Sequence, residues 1–146
     1  MTIAVDFDGT IVEHRYPEIG PEVPFATETL KMLIRDRHKV ILWTTREDKL
    51  LEDAVEWCRQ RGVEFYAVNK DYPEERQEYN NHFSRKIKAE VWIDDRNVGG
   101  MPDWGEIYNM IKERKSFSDM ISEARKTSLA DHEAPKKKHW WNFLNI

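Results

Sequence analysis

Short apolar runs alternate along this chain with stretches whose apolar residues recur at helical spacing, the pattern of a parallel α/β sheet. The first run, Ile3-Ala4-Val5, stops abruptly at Asp6-Phe7-Asp8-Gly9-Thr10. A polar stretch with Pro17, Gly20, Pro21 and Pro24 follows and reads as a hairpin or flap. Pro24 suits the first turn of a helix, continued by Phe25, Ala26, Leu30, Leu33 and Ile34. Val40 to Trp43 form a second strand, closed by Thr44-Thr45-Arg46. A second helix carries Leu50, Leu51, Ala54, Val55 and Cys58 on one face, with Gly62 as its stop. Val63 to Val68 predict a third strand. Val91-Trp92-Ile93 predict a fourth, ending in Asp94-Asp95. Trp104, Ile107, Tyr108 and Ile111 mark a last amphipathic helix. Asn69 to Lys88 read as loop with one helical turn, and there are no internal repeats.

Composition narrows the class. The chain has 146 residues, a net charge of −4 and a single cysteine. That length predicts one folded domain with enough core to need no disulfide or metal staple. Cys58 alone excludes an internal disulfide and a cysteine-based zinc cage. A mean hydropathy of −0.78 leaves no membrane span. The N-terminus runs from Met1 into Asp6 without a basic region, so no signal peptide is expected. A sequence pI near 5.8 argues against general nucleic-acid affinity. The expectation is a cytoplasmic protein with no membrane insertion.

The chemistry gathers at strand ends. In open parallel sheets, ligands bind beyond the carboxyl ends of the strands. There stand Asp6 and Asp8, Thr44 and Thr45, and Asp94 and Asp95. Four carboxylates on one edge repel unless a cation sits among them, and hard oxygen ligands suit Mg²⁺, which usually shares its shell with phosphate. Asp6 at a strand tip can attack phosphorus directly. Asp8 can protonate the leaving oxygen and then activate water. Gly9 permits a sharp turn with amides facing a phosphate, the Thr10 hydroxyl can pin that turn, and a Thr44 hydroxyl can bind a phosphoryl oxygen. An Asp-x-Asp-Gly loop also occurs in calcium-binding EF-hands. That template fails here because its glycine position falls on Ile11 and its final glutamate on Pro17.

Asp6-Phe7-Asp8-Gly9-Thr10 after an apolar strand resembles motif I of the haloacid dehalogenase (HAD) superfamily. Val40 to Thr44 resembles its motif II and Ile93-Asp94-Asp95 its acidic motif IV, in matching order over about the first two thirds of the chain. The resemblance implies a Rossmann-like, three-layer sheet of order 3-2-1-4 with helices on both faces. It implies Asp6 as nucleophile, Asp8 as acid/base, and Mg²⁺ held by Asp6, the Asp8 backbone carbonyl and Asp94, with Asp95 beside them. A second aspartate at the Asp8 position is typical of the family's phosphatases. Thr44 or Thr45 fills the motif II place, and Lys86 or Lys88 the motif III lysine, Lys86 fitting the usual separation better. Ile11 to Pro24 and Asn69 to Arg85 are both too short for a cap domain, so the resemblance is to the capless type. An open site then implies a bulky substrate or an oligomer whose neighbour covers it.

Around this core the sequence leaves several alternatives. Arg46 either binds a second anionic group, as Gly9, Thr10 and Thr45 would bind phosphate, or pairs with Glu47 or Asp48 at the surface. Arg96 and Asn97 could line the pocket. His14 belongs to the flap, Cys58 to the core, and Trp43, Trp57, Trp92 and Trp104 to structural faces. The catalytic domain is expected over residues 1–115, with an extension over 116–146. Lys136 to Lys138 with Trp140, Trp141, Phe143 and Leu144 could suggest membrane-surface or nucleic-acid contact, but three lysines on an acidic chain favour docking on the domain or a partner subunit. The expected function is Mg²⁺-dependent hydrolysis of a phosphomonoester, on a small molecule or a nucleic-acid end, through an aspartyl-phosphate. A phosphate-binding regulatory module and a phosphotransferase to an acceptor other than water are the rivals.

Overall fold

In the computed structural model, which describes residues 1–76 and 86–132, the chain is an α/β protein. Its elements are β1 (Thr2–Val5), α1 (Ala26–Arg35), β2 (Lys39–Leu42), α2 (Asp48–Arg59), β3 (Ala67–Val68), β4 (Val91–Ile93), α3 (Trp104–Glu113) and α4 (Phe117–His132). The strands form one parallel sheet of order β3-β2-β1-β4, flanked by helices. This is the strand order that the family resemblance implies. Strands this apolar belong at the centre of a sheet: Ile3, Ala4, Val5, Val40, Ile41 and Leu42 are all buried.

The first two helices have local reasons to begin or stop where they do. Gly62 takes φ +82 after α2, its N–H donates to the Arg59 carbonyl, and that of Val63 donates to Cys58. These two bonds make a Schellman turn. They also explain why the third strand is only two residues long. Val63 is buried as expected, but its amide closes α2 instead of joining the sheet. Helix α1 starts after Pro24, because Phe25 adopts φ 67 as its N-cap. The Glu22 carboxylate caps the first turn from outside, accepting the Thr27 N–H at 2.9 Å and its hydroxyl at 2.6 Å.

Both β1→β2 and β2→β3 step the same way across the sheet, so right-handed crossovers put α1 and α2 on one face. On the other face Ala4, Ile41 and Ala67, which are register partners, pack with Ile87 from the β3–β4 connector. The described parts of that connector, residues 69–76 and 86–90, hold no helix. The rest of it lies outside the described residues.

The chain forms two compact units, one spanning Met1–Tyr108 and one beginning at Asn109. The boundary comes earlier than the composition shift at Ser116 suggests. Helix α4, in the second unit, was not expected. Ser116 and Asp119 form a reciprocal capping box at its start, with the Asp119 N–H on Ser116 Oγ and the Ser116 N–H on Asp119 Oδ2. The lysine- and tryptophan-rich tail lies outside the described residues. Among the described residues no helix is long and apolar enough to cross a membrane.

Candidate functional site

The register of the sheet sets the site. Val5, Leu42, Val68 and Ile93 end their strands side by side. One further rung carries the chain past them: Asp6 N–H donates to Ile93 O, Trp43 N–H to Val5 O, and Asn69 N–H to Leu42 O. Asp6, Trp43, Asn69 and Asp94 therefore stand in a row on the carboxyl edge. They line a cavity of about 510 Å³ within the first unit.

Asp6, Asp94 and Asp95 each bring a carboxylate oxygen within 4.8 Å of the others. Burial is the main reason that the Asp6 carboxyl is pushed up from 3.8 to about 7, and the charges of Asp94 and Asp95 add to it. Hydrogen bonds from the Phe7 amide and Thr10 pull the other way. The Asp94 carboxylate also accepts the Arg96 N–H at 2.8 Å, and the Asn97 side-chain amide donates to the Asp94 carbonyl at 2.7 Å. Arg96 lines the cavity, whereas Asn97 braces the acidic loop.

Thr10 and Gly9 serve the turn, and this corrects their expected phosphate contacts. Thr10 is wholly buried. Its hydroxyl accepts the Asp95 N–H at 3.0 Å and lies 3.3 Å from both Asp6 Oδ2 and Asp95 Oδ1, so its one proton is given to one of those carboxylates. Its carbonyl accepts the Trp104 indole N–H at 3.1 Å, fixing the turn against the start of α3. The Gly9 amide is already spent, donating to Val12 O at 2.7 Å. The glycine is required for another reason. Its φ is +90, and a Cβ there would lie 2.5 Å from Asp95 Oδ2.

Asp8 points into the cavity beside Asp6 and meets Arg46. Arg46 Nε and Nη2 donate to the two Asp8 oxygens, both at 2.7 Å. The rest of the guanidinium reaches the flap: Nη1 donates to Pro17 O at 3.0 Å and Nη2 to Glu18 O at 2.9 Å. The rings of Phe7 and Tyr16 lie 5.1 and 5.3 Å from it. Arg46 has no solvent exposure, and the bond to Asp8 holds its pKa above the ordinary value. Its partner is therefore neither Glu47 nor Asp48.

Thr44 and Thr45 both line the cavity. The Thr44 amide donates to Asn69 Oδ1 at 2.8 Å, and its hydroxyl accepts the Arg46 N–H at 3.2 Å, leaving the hydroxyl proton for another acceptor. Tyr16 and Trp43 supply aromatic wall, and His14 Nε2 lies 3.4 Å from Arg96 Nη2 at the rim. Lys86 is not brought to this cavity. It is exposed, with its ammonium 5.4 Å from the Trp92 ring centroid, because it precedes β4 on the segment that crosses the second face. Lys88 is exposed too, and its amide donates to Asp71. Among the described residues the cationic groups that line the cavity are Arg46, Arg96 and His14 in its charged form. Asn69, Tyr16 and Glu47 line the cavity too, and the sequence did not mark them as site residues. For Asn69 the signal was there, since it follows the third apolar run as Asp6 follows the first. Cys58 is core, as expected, and burial pushes its thiol up to about 12.

No family model matches the chain, and no curated protein does. A solved structure, described as that of the conserved protein coded by a locus from Bacteroides thetaiotaomicron, is similar at 68% sequence identity and a TM-score of 0.75. The likeness covers 82% of this chain and 96% of that one. With two thirds of their residues shared over that span, this chain belongs to the same family as the Bacteroides thetaiotaomicron protein.

Proposed function

We propose that this chain is a phosphohydrolase of the capless HAD type, Mg²⁺-dependent, which cleaves a phosphomonoester through a phosphoryl group carried on Asp6. The observation that carries the reading is the meeting of Asp6, Asp8, Thr44 and Asp94 in one cavity at the carboxyl edge of the sheet. Asp6 Oδ forms the new bond to phosphorus as the ester P–O bond breaks, and the leaving oxygen takes a proton from the Asp8 carboxyl. Water then attacks the phosphorus, gives its proton to Asp8, and releases inorganic phosphate and the free Asp6 carboxylate. Thr44 and Thr45 hold phosphoryl oxygens through their hydroxyl protons.

The three crowded carboxylates form an all-oxygen, hard donor set, and that chemistry fits Mg²⁺. Asp6, Asp94 and Asp95, with the Asp8 backbone carbonyl that the family resemblance implies, would hold the ion. When bound it offsets the repulsion among the carboxylates and the charge of the phosphoryl oxygens. The lone buried cysteine and the acidic, low-hydropathy composition fit a cytoplasmic enzyme.

The test is phosphate release from a broad panel of phosphomonoesters, with Mg²⁺ and with EDTA, for wild type beside Asp6→Asn. Release that needs Mg²⁺ and disappears in D6N supports the reading. Release that survives D6N refutes the mechanism. One observation favours a binding module instead: both Asp8 oxygens are engaged by Arg46. Silence of the wild type across the panel favours that alternative.

A further inference from the structure

Among the described residues Arg46 is the one charged side chain that the fold buries completely. Removing a guanidinium from water costs several kcal/mol unless its donors and its charge are met. Here four of the five N–H groups find acceptors, two on Asp8 and one each on the carbonyls of Pro17 and Glu18. The arrangement has direction. One edge of the fork grips the carboxylate at the end of the β1 turn, and two further N–H groups grip the backbone of the flap. Arg46 itself leaves β2 by the Thr44 turn, its amide held by the Thr44 hydroxyl. Three segments are thus locked through one side chain. The carboxylate is only 12% exposed, on the side that faces the cavity. A carboxylate has about four lone-pair sites, so a bidentate guanidinium leaves about one free on each oxygen.

Resting on the phosphohydrolase reading, we infer that Arg46 is the positioning residue for Asp8. It fixes the carboxyl so that the proton carried on an oxygen site the guanidinium leaves free meets the leaving oxygen, and it makes that aim depend on the flap segment at Pro17 and Glu18. Arg46 touches neither the phosphorus nor the leaving group. Its contribution passes entirely through Asp8.

This assignment differs in its consequences from a phosphate-binding arginine and from a merely structural one. Proton donation matters most when the leaving group is a poor one. An alkoxide needs the proton, whereas a nitrophenolate leaves without it. The quantity to read is kcat/KM, which covers the steps up to phosphoryl transfer to Asp6. Wild type, Arg46→Met, Arg46→Lys, Asp8→Asn and the double variant D8N/R46M are compared on an alkyl phosphate and on 4-nitrophenyl phosphate. General acid catalysis contributes about 10²–10⁴-fold. The expected result is a loss of about 10²-fold for R46M on the alkyl ester and less than about tenfold on the nitrophenyl ester. D8N/R46M should be no worse than D8N alone. R46K keeps the charge but cannot span both oxygens and both carbonyls, so it shows the same asymmetry at smaller size. It also carries the test if R46M does not fold.

Equal losses on both esters, with R46M and D8N multiplying in the double variant, would overturn the role given to Arg46 while leaving the hydrolase intact. A wild type inactive on both esters and across the phosphomonoester panel, nucleic-acid ends included, would instead overturn the hydrolase reading, and the role of Arg46 with it.

Discussion

Replacing Asp6 with Asn should stabilise the metal-free protein, and the gain should depend on pH in a defined direction. In the folded chain the Asp6 carboxyl titrates at about 7, against an ordinary 3.8, because it is half-buried and shares its corner with Asp94 and Asp95. A folded-state pKa above the unfolded one means that folding favours the protonated form. The stability this group allows is complete below pH 4 and is lost as pH rises through 7. At about 1.4 kcal/mol for each pH unit between the two values, charging Asp6 costs the fold about 4 kcal/mol by pH 8. Asparagine carries no charge at any of these pH values, keeps an oxygen for the Phe7 and Thr10 donors, and offers an amide to the neighbouring carboxylates. The assay is urea unfolding in EDTA at several pH values between 4.5 and 8, wild type beside D6N. A domain of this size has a urea dependence of about 2 kcal/mol per molar, so the D6N midpoint should exceed wild type by about 2 M at pH 8. The difference should close towards pH 4.5. A D6N protein no more stable than wild type at pH 8, or a gain equal at every pH, would refute the electrostatic account of this corner.

Two further outcomes follow from the same geometry. Mg²⁺ at a hundredfold over its Kd should stabilise the wild type by about 2.7 kcal/mol at pH 7.5, and thermal melts should show the gain removed by EDTA and by Asp94→Asn. An equal gain in D94N would count against the acidic cluster as the ion's site. Gly9→Ala forces a Cβ to 2.5 Å from Asp95 Oδ2 at φ +90. It should cost about 3 kcal/mol in denaturant unfolding, and a cost below about 1 kcal/mol would show that the turn is not set by this close approach.

The strands and the placement of Asp6 and Asp94 were legible because buried parallel strands are written as apolar runs, whereas the strand order came from the family resemblance alone. The residue after each run then falls on the carboxyl edge. Helix ends were legible only where glycine marks them. Gly62 announces the end of α2, but Arg37 and Arg114 take the same left-handed turn after α1 and α3, at φ 64 and 55, and an arginine gives no such signal. Val63 looked like strand because it is apolar and buried. What decided otherwise was its amide, which side-chain patterning does not reveal. Helix α4 was missed for want of an apolar stripe, although Ser116 and Asp119 spelled a capping box. In the site, the strand ends brought Asp6, Asp8 and Thr44 together but could not show that Arg46, followed by Glu47 and Asp48, turns inward to Asp8. Nor could it tell a lysine that reaches the cavity from one lying over Trp92.

The central claim is that Asp6 accepts a phosphoryl group, and it can be tested before any substrate is known. Beryllofluoride forms a phosphoryl-like adduct on an aspartate carboxylate that is placed for the chemistry. Thermal melts of wild type and D6N with Mg²⁺ alone and with Mg²⁺ plus beryllofluoride read this directly. The account predicts a further rise in wild-type midpoint on adding beryllofluoride, dependent on Mg²⁺ and absent in D6N. No rise in the wild type, or an equal rise in D6N, would contradict Asp6 as the nucleophile.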